Sequence, residues 1–238
     1  MFYNFKIAEN DLVIRNRVMY MKKIVFFTFV LISFEFAELN AQSAKDADGN
    51  VYAATTIGKQ VWMSENLKTT KLNDGTPIPL VTRNSDWIEL KTPGYCWFEN
   101  NAENKEVYGA LYNWYAVDTK KLCPAGWHVP TASEWKILIA FLGDVNKAGD
   151  KLKEAGSDHW KNSATIVTNE FDFTALPAGF RFYSGAFPNP DSFAVFWSAT
   201  AFDDSQALNW GLFFMSSRIY NSSDVKRAGF SVRCMKND

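Results

Sequence analysis

The 238 residues carry 25 basic and 26 acidic side chains, a formal net charge of -1, so the phosphates of nucleic acid would find no basic face. Apolar residues make up 47% and aromatic residues 16%, enough for a substantial core and too much for wholesale disorder. Two histidines and three cysteines exclude a zinc-finger array or a multi-histidine metal site.

Met21-Lys22-Lys23 is a short basic segment, followed over residues 24–34 by an apolar run. That is the order of a signal peptide, and the run is too short to span a bilayer. Leu39-Asn40-Ala41 offers tolerated residues at the cleavage positions, so residues 21–41 are expected to be removed. Residues 1–20 read as a start placed too far upstream. The competing reading, a buried helix over 24–34, fits Glu35, Glu38 and the polar run after them less well. The expectation is an exported protein, periplasmic, cell-surface or secreted, with no membrane span in the mature chain. Export means an oxidising space, in which cysteines can pair.

Residues 42–238 read as one domain. Asp46-Ala47-Asp48-Gly49-Asn50 is a turn signal, residues 51–57 are a β-branched and aromatic run, Gly58-Lys59 turns the chain, and 60–63 continues as a strand. Turns at Asn73-Asp74-Gly75 and Pro93-Gly94 precede a candidate strand over 95–98. Tyr108, Leu111, Tyr112 and Tyr115 fall at i, i+3, i+4 and i+7, which predicts a helix. Thr131 and Glu134 form a capping box, Trp135, Leu138, Ile139 and Leu142 a buried stripe, and Gly143 a stop. A shorter helix is expected over 148–154. Beyond Gly156 the period becomes two: Leu208, Trp210, Leu212 and Phe214 alternate, as do Phe230, Val232 and Cys234. Helices in the middle with strands at both ends give an α+β class, with two to three short helices and mostly antiparallel sheets.

Cys123-Pro124-Ala125-Gly126-Trp127-His128-Val129-Pro130-Thr131, followed by Glu134-Trp135 and Leu138, resembles the centre of the Fibrobacter succinogenes major paralogous domain. Further blocks stand in the family's order at residues 48–52, 57–63, 65–67, 95–97, 108–114, 175–177 and 229–234. Residues 169–173 and 196–200 are variants of the usual forms. The family is similar in pattern to the C-type-lectin-like fold and to formylglycine-generating enzymes. The resemblance implies an extracytoplasmic bacterial domain and carries fold information well, but lectin-like folds host binding, catalysis and scaffolding alike. It also implies a bridge from the end of the first helix to the last strand, which maps onto Cys123 and Cys234. Cys96–Cys234 stays open as the rival, and Cys96 otherwise reads as a buried free thiol.

Catalytic readings fare poorly. Neither Cys123 nor Cys96 has an orienting group to complete a pair with His128, and His128 is expected to pack beside Trp127, with His159 on the surface. Formylglycine-generating enzymes bind copper through two C-terminal cysteines, and this chain has one there, Cys234. Asp46, Asp48 and Asn50 have the first spacings of a calcium loop, but Gly49 is misplaced and Ile57 stands where a bidentate glutamate is required. The sugar-binding calcium motifs of C-type lectins are absent, Pro188-Asn189-Pro190-Asp191 being nearest. No cofactor or metal is therefore assigned, calcium being unsupported. In lectin-like folds the long loop region between late strands holds ligand, which singles out Phe187, Asn189, Asp191 and Asp203 as a binding face, with carbohydrate as a ligand. Most tryptophans, including Trp127, Trp135 and Trp197, are assigned to the core. The expected role is a non-catalytic binding or cell-envelope module with a glycan or an envelope protein as partner. The alternatives are an enzyme distantly like the formylglycine-generating group and a surface adhesion or structural protein.

Overall fold

The fold is described from a computed structural model, covering residues 43–156, 158–161, 166–188 and 190–238. The leader expected over 21–41 and the early start lie outside the described residues.

The first strands form where β-branched residues lie between turn residues. Strand β1 (Ser43–Lys45) pairs with β2 (Val51–Ile57), which turns back through Gly58-Lys59 into β3 (Gln60–Met63). The Asp46–Asn50 turn is a closed hydrogen-bond system. Asp46 Oδ1 accepts from the amides of Asp48 and Asn50, and its Oδ2 accepts from the Tyr52 hydroxyl at 2.6 Å. Asp48 is bonded to Thr70 and paired with Lys71, which ties the β-turn to the segment after β3.

Short elements follow. They are helix α1 (Asn84–Ile88), strand β4 (Tyr95–Cys96), a 3-10 turn (Phe98–Asn100), helix α2 (Asn104–Tyr108), strand β5 (Leu111–Tyr112) and helix α3 (Trp114–Asp118). The strand expected over 95–98 is thus confined to Tyr95–Cys96. The helix expected across Tyr108–Tyr115 is not formed; two helices flank a strand there. Gly109 is the reason: its φ is +72° and a Cβ would lie 2.8 Å from Asn66 Cβ and 2.9 Å from Leu67 O. The amides of Ala110 and Tyr112 then bond to Leu67 O and Phe230 O, which removes them from any helix.

After β6 (Trp127–His128), the capping box opens helix α4 (Ala132–Leu142) at Thr131, and Gly143 ends it. Trp135, Leu138 and Leu142 are buried, with Ile139 packed beside them. Helix α5 (Ala148–Leu152) stops two residues earlier than expected, because Lys153 turns extended and bridges Ala175. Strands β7 (Phe193–Ala201), β8 (Gln206–Phe213) and β9 (Ser216–Val225) make a three-stranded antiparallel meander. Leu208, Trp210, Leu212 and Phe214 share one packed face against Trp135 and Phe173, as their alternation predicts.

The last segment reaches β10 (Met235–Lys236), which lies between β3 and β6 in a five-stranded sheet of order β1-β2-β3-β10-β6. On its way it bridges Tyr112 of the β4–β5 pair through Phe230 and Phe196 of the meander through Ser231. Phe230, Val232 and Cys234 face one cluster, but Ser231 and Arg233 between them are buried too. This is a central strand with no solvent face. Cys234 is joined to Cys123, the bridge the resemblance implied and not its rival. Trp135 and Trp197 are core residues, whereas Trp127 is only partly buried. The architecture is mixed α+β with mostly antiparallel sheets and short helices, and residues 43–238 make one compact unit. Among the described residues no helix is long and apolar enough to cross a membrane.

Candidate functional site

The segment before β7 sets the site. Gly179 donates to Phe193 O and bridges Ala194, bringing residues 179–182 alongside the first residues of the strand. The approach needs glycine: φ is +63°, and a Cβ would collide with the Phe98 ring. Residues 182–186 then close a turn through Phe182 N to Ala186 O and Gly185 N to Phe182 O, both near 2.8–2.9 Å.

Arg181 holds this loop to the domain. It has no solvent exposure, and its guanidinium donates to Gly185 O, Val81 O, Thr82 O and Asn84 Oδ1 at 2.6–3.0 Å. It is stacked between the rings of Trp87 at 4.3 Å and Phe187 at 5.2 Å. Buried charge is tolerated where its donors are satisfied and aromatic faces shelter it. Phe187 is thereby clamped, and it also stands edge-on to Phe98 at 5.6 Å.

Phe187 is one wall of an open groove of about 540 Å³. Phe180 and Phe182 form a second wall, the paired strand ends Phe193 and Phe213 a third, and Phe214, Pro188, Ser192 and Lys161 complete the lining. The rings alternate in pose. Phe193 stacks on Phe213 with 22° between planes, while Phe180 stands edge-on to Phe193 and Phe213 edge-on to Phe214. Six phenylalanine side chains thus line one groove.

A polar rim adjoins the groove. Lys161 N donates to Asp191 O at 2.9 Å. His159 Nδ1 lies 2.8 Å and 2.9 Å from the two oxygens of Glu154, and the imidazole stands edge-on to Tyr108 at 5.9 Å. Tyr108 in turn meets Phe98, so an aromatic arc runs from Phe187 to His159. Burial, and then the negative charges of Asp191 and Glu154, hold the Tyr108 hydroxyl above its ordinary pKa. It stays protonated, a hydroxyl that can donate or accept.

Of the residues singled out in the sequence, Phe187 lines the groove and Asp191 lies beside it. Asn189 is outside the described residues. Asp203 is at the other end of β7, about 27 Å along a nine-residue strand. There it caps the β7–β8 turn, accepting from Ser205 N, Ser205 Oγ and Gln206 N at 2.7–2.9 Å. These bonds hold its carboxyl below the ordinary range. The other five phenylalanines and the Tyr108–Glu154–His159 rim were not singled out by sequence reasoning.

His128, expected to pack beside Trp127, has both ring nitrogens engaged. Its Nδ1 lies 2.7 Å from Asn237 Oδ1 and its Nε2 3.0 Å from Glu134 Oε1, a tie between the chain's last residues and the start of α4. Cys96 is free and buried, and burial pushes its thiol up to about 12 despite the nearby Arg181 guanidinium. Among the described residues no cluster of three or more His, Cys, Asp or Glu is arranged for a metal ion.

No curated protein and no solved structure matches this chain. Residues 55–236 match the family model of the Fibrobacter succinogenes major domain, Fib_succ_major. The match runs from β2 through β10 and so takes in the groove, the capped helix and both bridged cysteines: the chain belongs to the Fibrobacter succinogenes major domain family.

Proposed function

We propose that this protein is an exported, non-catalytic binding module of C-type-lectin-like fold, whose ligand sits in the phenylalanine groove. The observation that carries the reading is the groove itself: six phenylalanines around about 540 Å³, in the size range of small-molecule sites. The basic and apolar leader supports export, and the Cys123–Cys234 bridge supports both export and the lectin-like fold. A non-catalytic role is supported by the cysteines, two of them bridged and the third held as a neutral thiol.

The polar rim favours carbohydrate as a ligand class. Tyr108, Glu154, His159 and Asp191 offer hydrogen-bonding partners for hydroxyl groups beside aromatic surfaces on which the C–H faces of a sugar can lie. The test is a glycan and polysaccharide screen of the exported, oxidised chain, with and without calcium. Specific binding that falls at least tenfold in Phe187→Ala and Asp191→Asn would support the sugar at this face. A negative screen removes carbohydrate and directs the search to an envelope protein.

A further inference from the structure

The groove's own lining points to something less polar than a sugar. We propose that it takes small aromatic carboxylates, with the ligand ring held among the phenylalanines and its carboxylate met by the Lys161 ammonium. This rests on the reading of the groove as the binding face and names the ligand class.

Three observations support it. The only polar side chains among the described lining residues are Ser192 and Lys161, and the Ser192 hydroxyl already donates to Pro190 O at 3.0 Å. The hydroxyls of a polyol lying on these walls would find few protein partners, whereas an aromatic ring needs none. The walls also present ring faces and ring edges in turn, with Phe193 stacked on Phe213 and Phe180 perpendicular to Phe193. A flat ring can continue that pattern, offset on one face and edge-on to another, whereas a saturated ring can lie on the faces but cannot reproduce the edge-to-face pose.

The third observation is charge. Lys161 is the one ionisable side chain among the described lining residues, its Nζ 5.6 Å from the Phe214 ring centroid. Its backbone is pinned through its amide to Asp191 O, so the ammonium is rooted at the rim, and among the described residues no carboxylate forms an ion pair with it. An ammonium beside a wall of aromatic carbon is complementary to a ligand with an apolar body and an anionic end. The volume fits a small molecule rather than a docked helix.

The test is calorimetric titration of the exported, oxidised chain with 2-naphthoate and with its neutral counterpart 2-naphthamide. The acid is expected to bind at one site, about five- to tenfold more tightly than the amide. Lys161→Gln, a change on an exposed side chain, should weaken the acid to the level of the amide and leave the amide unchanged. Phe182→Ser should weaken both. Equal affinities for acid and amide in the parent protein would overturn the proposal, as would failure of both to bind. If both fail while a glycan binds and loses affinity in Phe187→Ala, only the ligand class is wrong. If no ligand of either class binds, the reading of the groove as a binding face falls with it.

Discussion

Two guanidinium groups, those of Arg181 and Arg233, are shut away from water and bonded to neutral oxygens. Arg233 donates to Asn66 Oδ1 and to the carbonyls of Met63, Phe173 and Thr174, and burial lowers it to about 9. Each therefore works as a multi-pronged tie between distant backbone segments, Arg181 for the groove loop and Arg233 for the central strand. Cys96 sits in the small cluster with Trp87, Phe98 and Leu111, against which Phe187 packs. Its sulfur is buried, and its thiol is neutral at any physiological pH because burial outweighs Arg181. A thiol-reactive probe at mildly alkaline pH should therefore modify no cysteine in the folded, non-reduced protein and one cysteine after unfolding in denaturant. Labelling of the native protein at the unfolded rate would mean that Cys96 is reachable, and the groove wall behind Phe187 would have to be open.

Helix α4 shows how far local sequence can specify an element. The Thr131 hydroxyl accepts from Glu134 N at 3.3 Å and Glu134 Oε2 accepts from Thr131 N at 2.7 Å, so two orphan amides are satisfied within four residues. Burial alone would raise the Glu134 carboxyl, but the Thr131 bonds and His128 outweigh it and hold the group below its ordinary 4.5. A carboxyl lowered in the folded state stabilises the fold above its unfolded pKa, and that stability is lost as pH falls through the native value. Thr131→Ala should cost about 1 kcal/mol at neutral pH. Glu134→Gln should also be less stable at neutral pH, with its deficit shrinking below pH ~4.5. Urea unfolding of the parent and both variants at the two pH values reads this directly; a deficit for Glu134→Gln that persists unchanged in acid would rule out the carboxylate as its source. The cap, stripe and stop of this helix are all local, which is why they were legible. Tyr108–Tyr115 has an equally good apolar spacing, yet its fate is decided by the approach of Asn66 and Leu67 to Gly109, some forty residues away. The groove was hidden for a related reason: a phenylalanine on a strand reads as core, and only the assembled sheet end shows that Phe193 and Phe213 pair at an open edge.

At the scale of the molecule, the segment from Gly229 to β10 is bonded to each of the three sheets among the described residues. Its Phe230 exchanges hydrogen bonds with Tyr112, Ser231 with the β7 backbone, and Cys234 O accepts from Met63 N of β3. The disulfide fixes this strand to Cys123, closing a span of 111 residues. In the chain-entropy description such a loop restricts the unfolded state by about 4–5 kcal/mol. That is a large share of the ~5–15 kcal/mol by which a domain is stable. Because the bridged segment is bonded to all three described sheets, the loss on removing the disulfide should be global rather than local. Cys123→Ala/Cys234→Ala should therefore shift the urea midpoints of tryptophan fluorescence and far-ultraviolet dichroism downward together, by the equivalent of several kcal/mol. Partial shifts, with one probe unmoved, would mean that the three sheets unfold separately and that the last strand does not couple them. A loss below ~1 kcal/mol would mean instead that the reduced, unfolded chain is already compact enough for the bridge to restrict little.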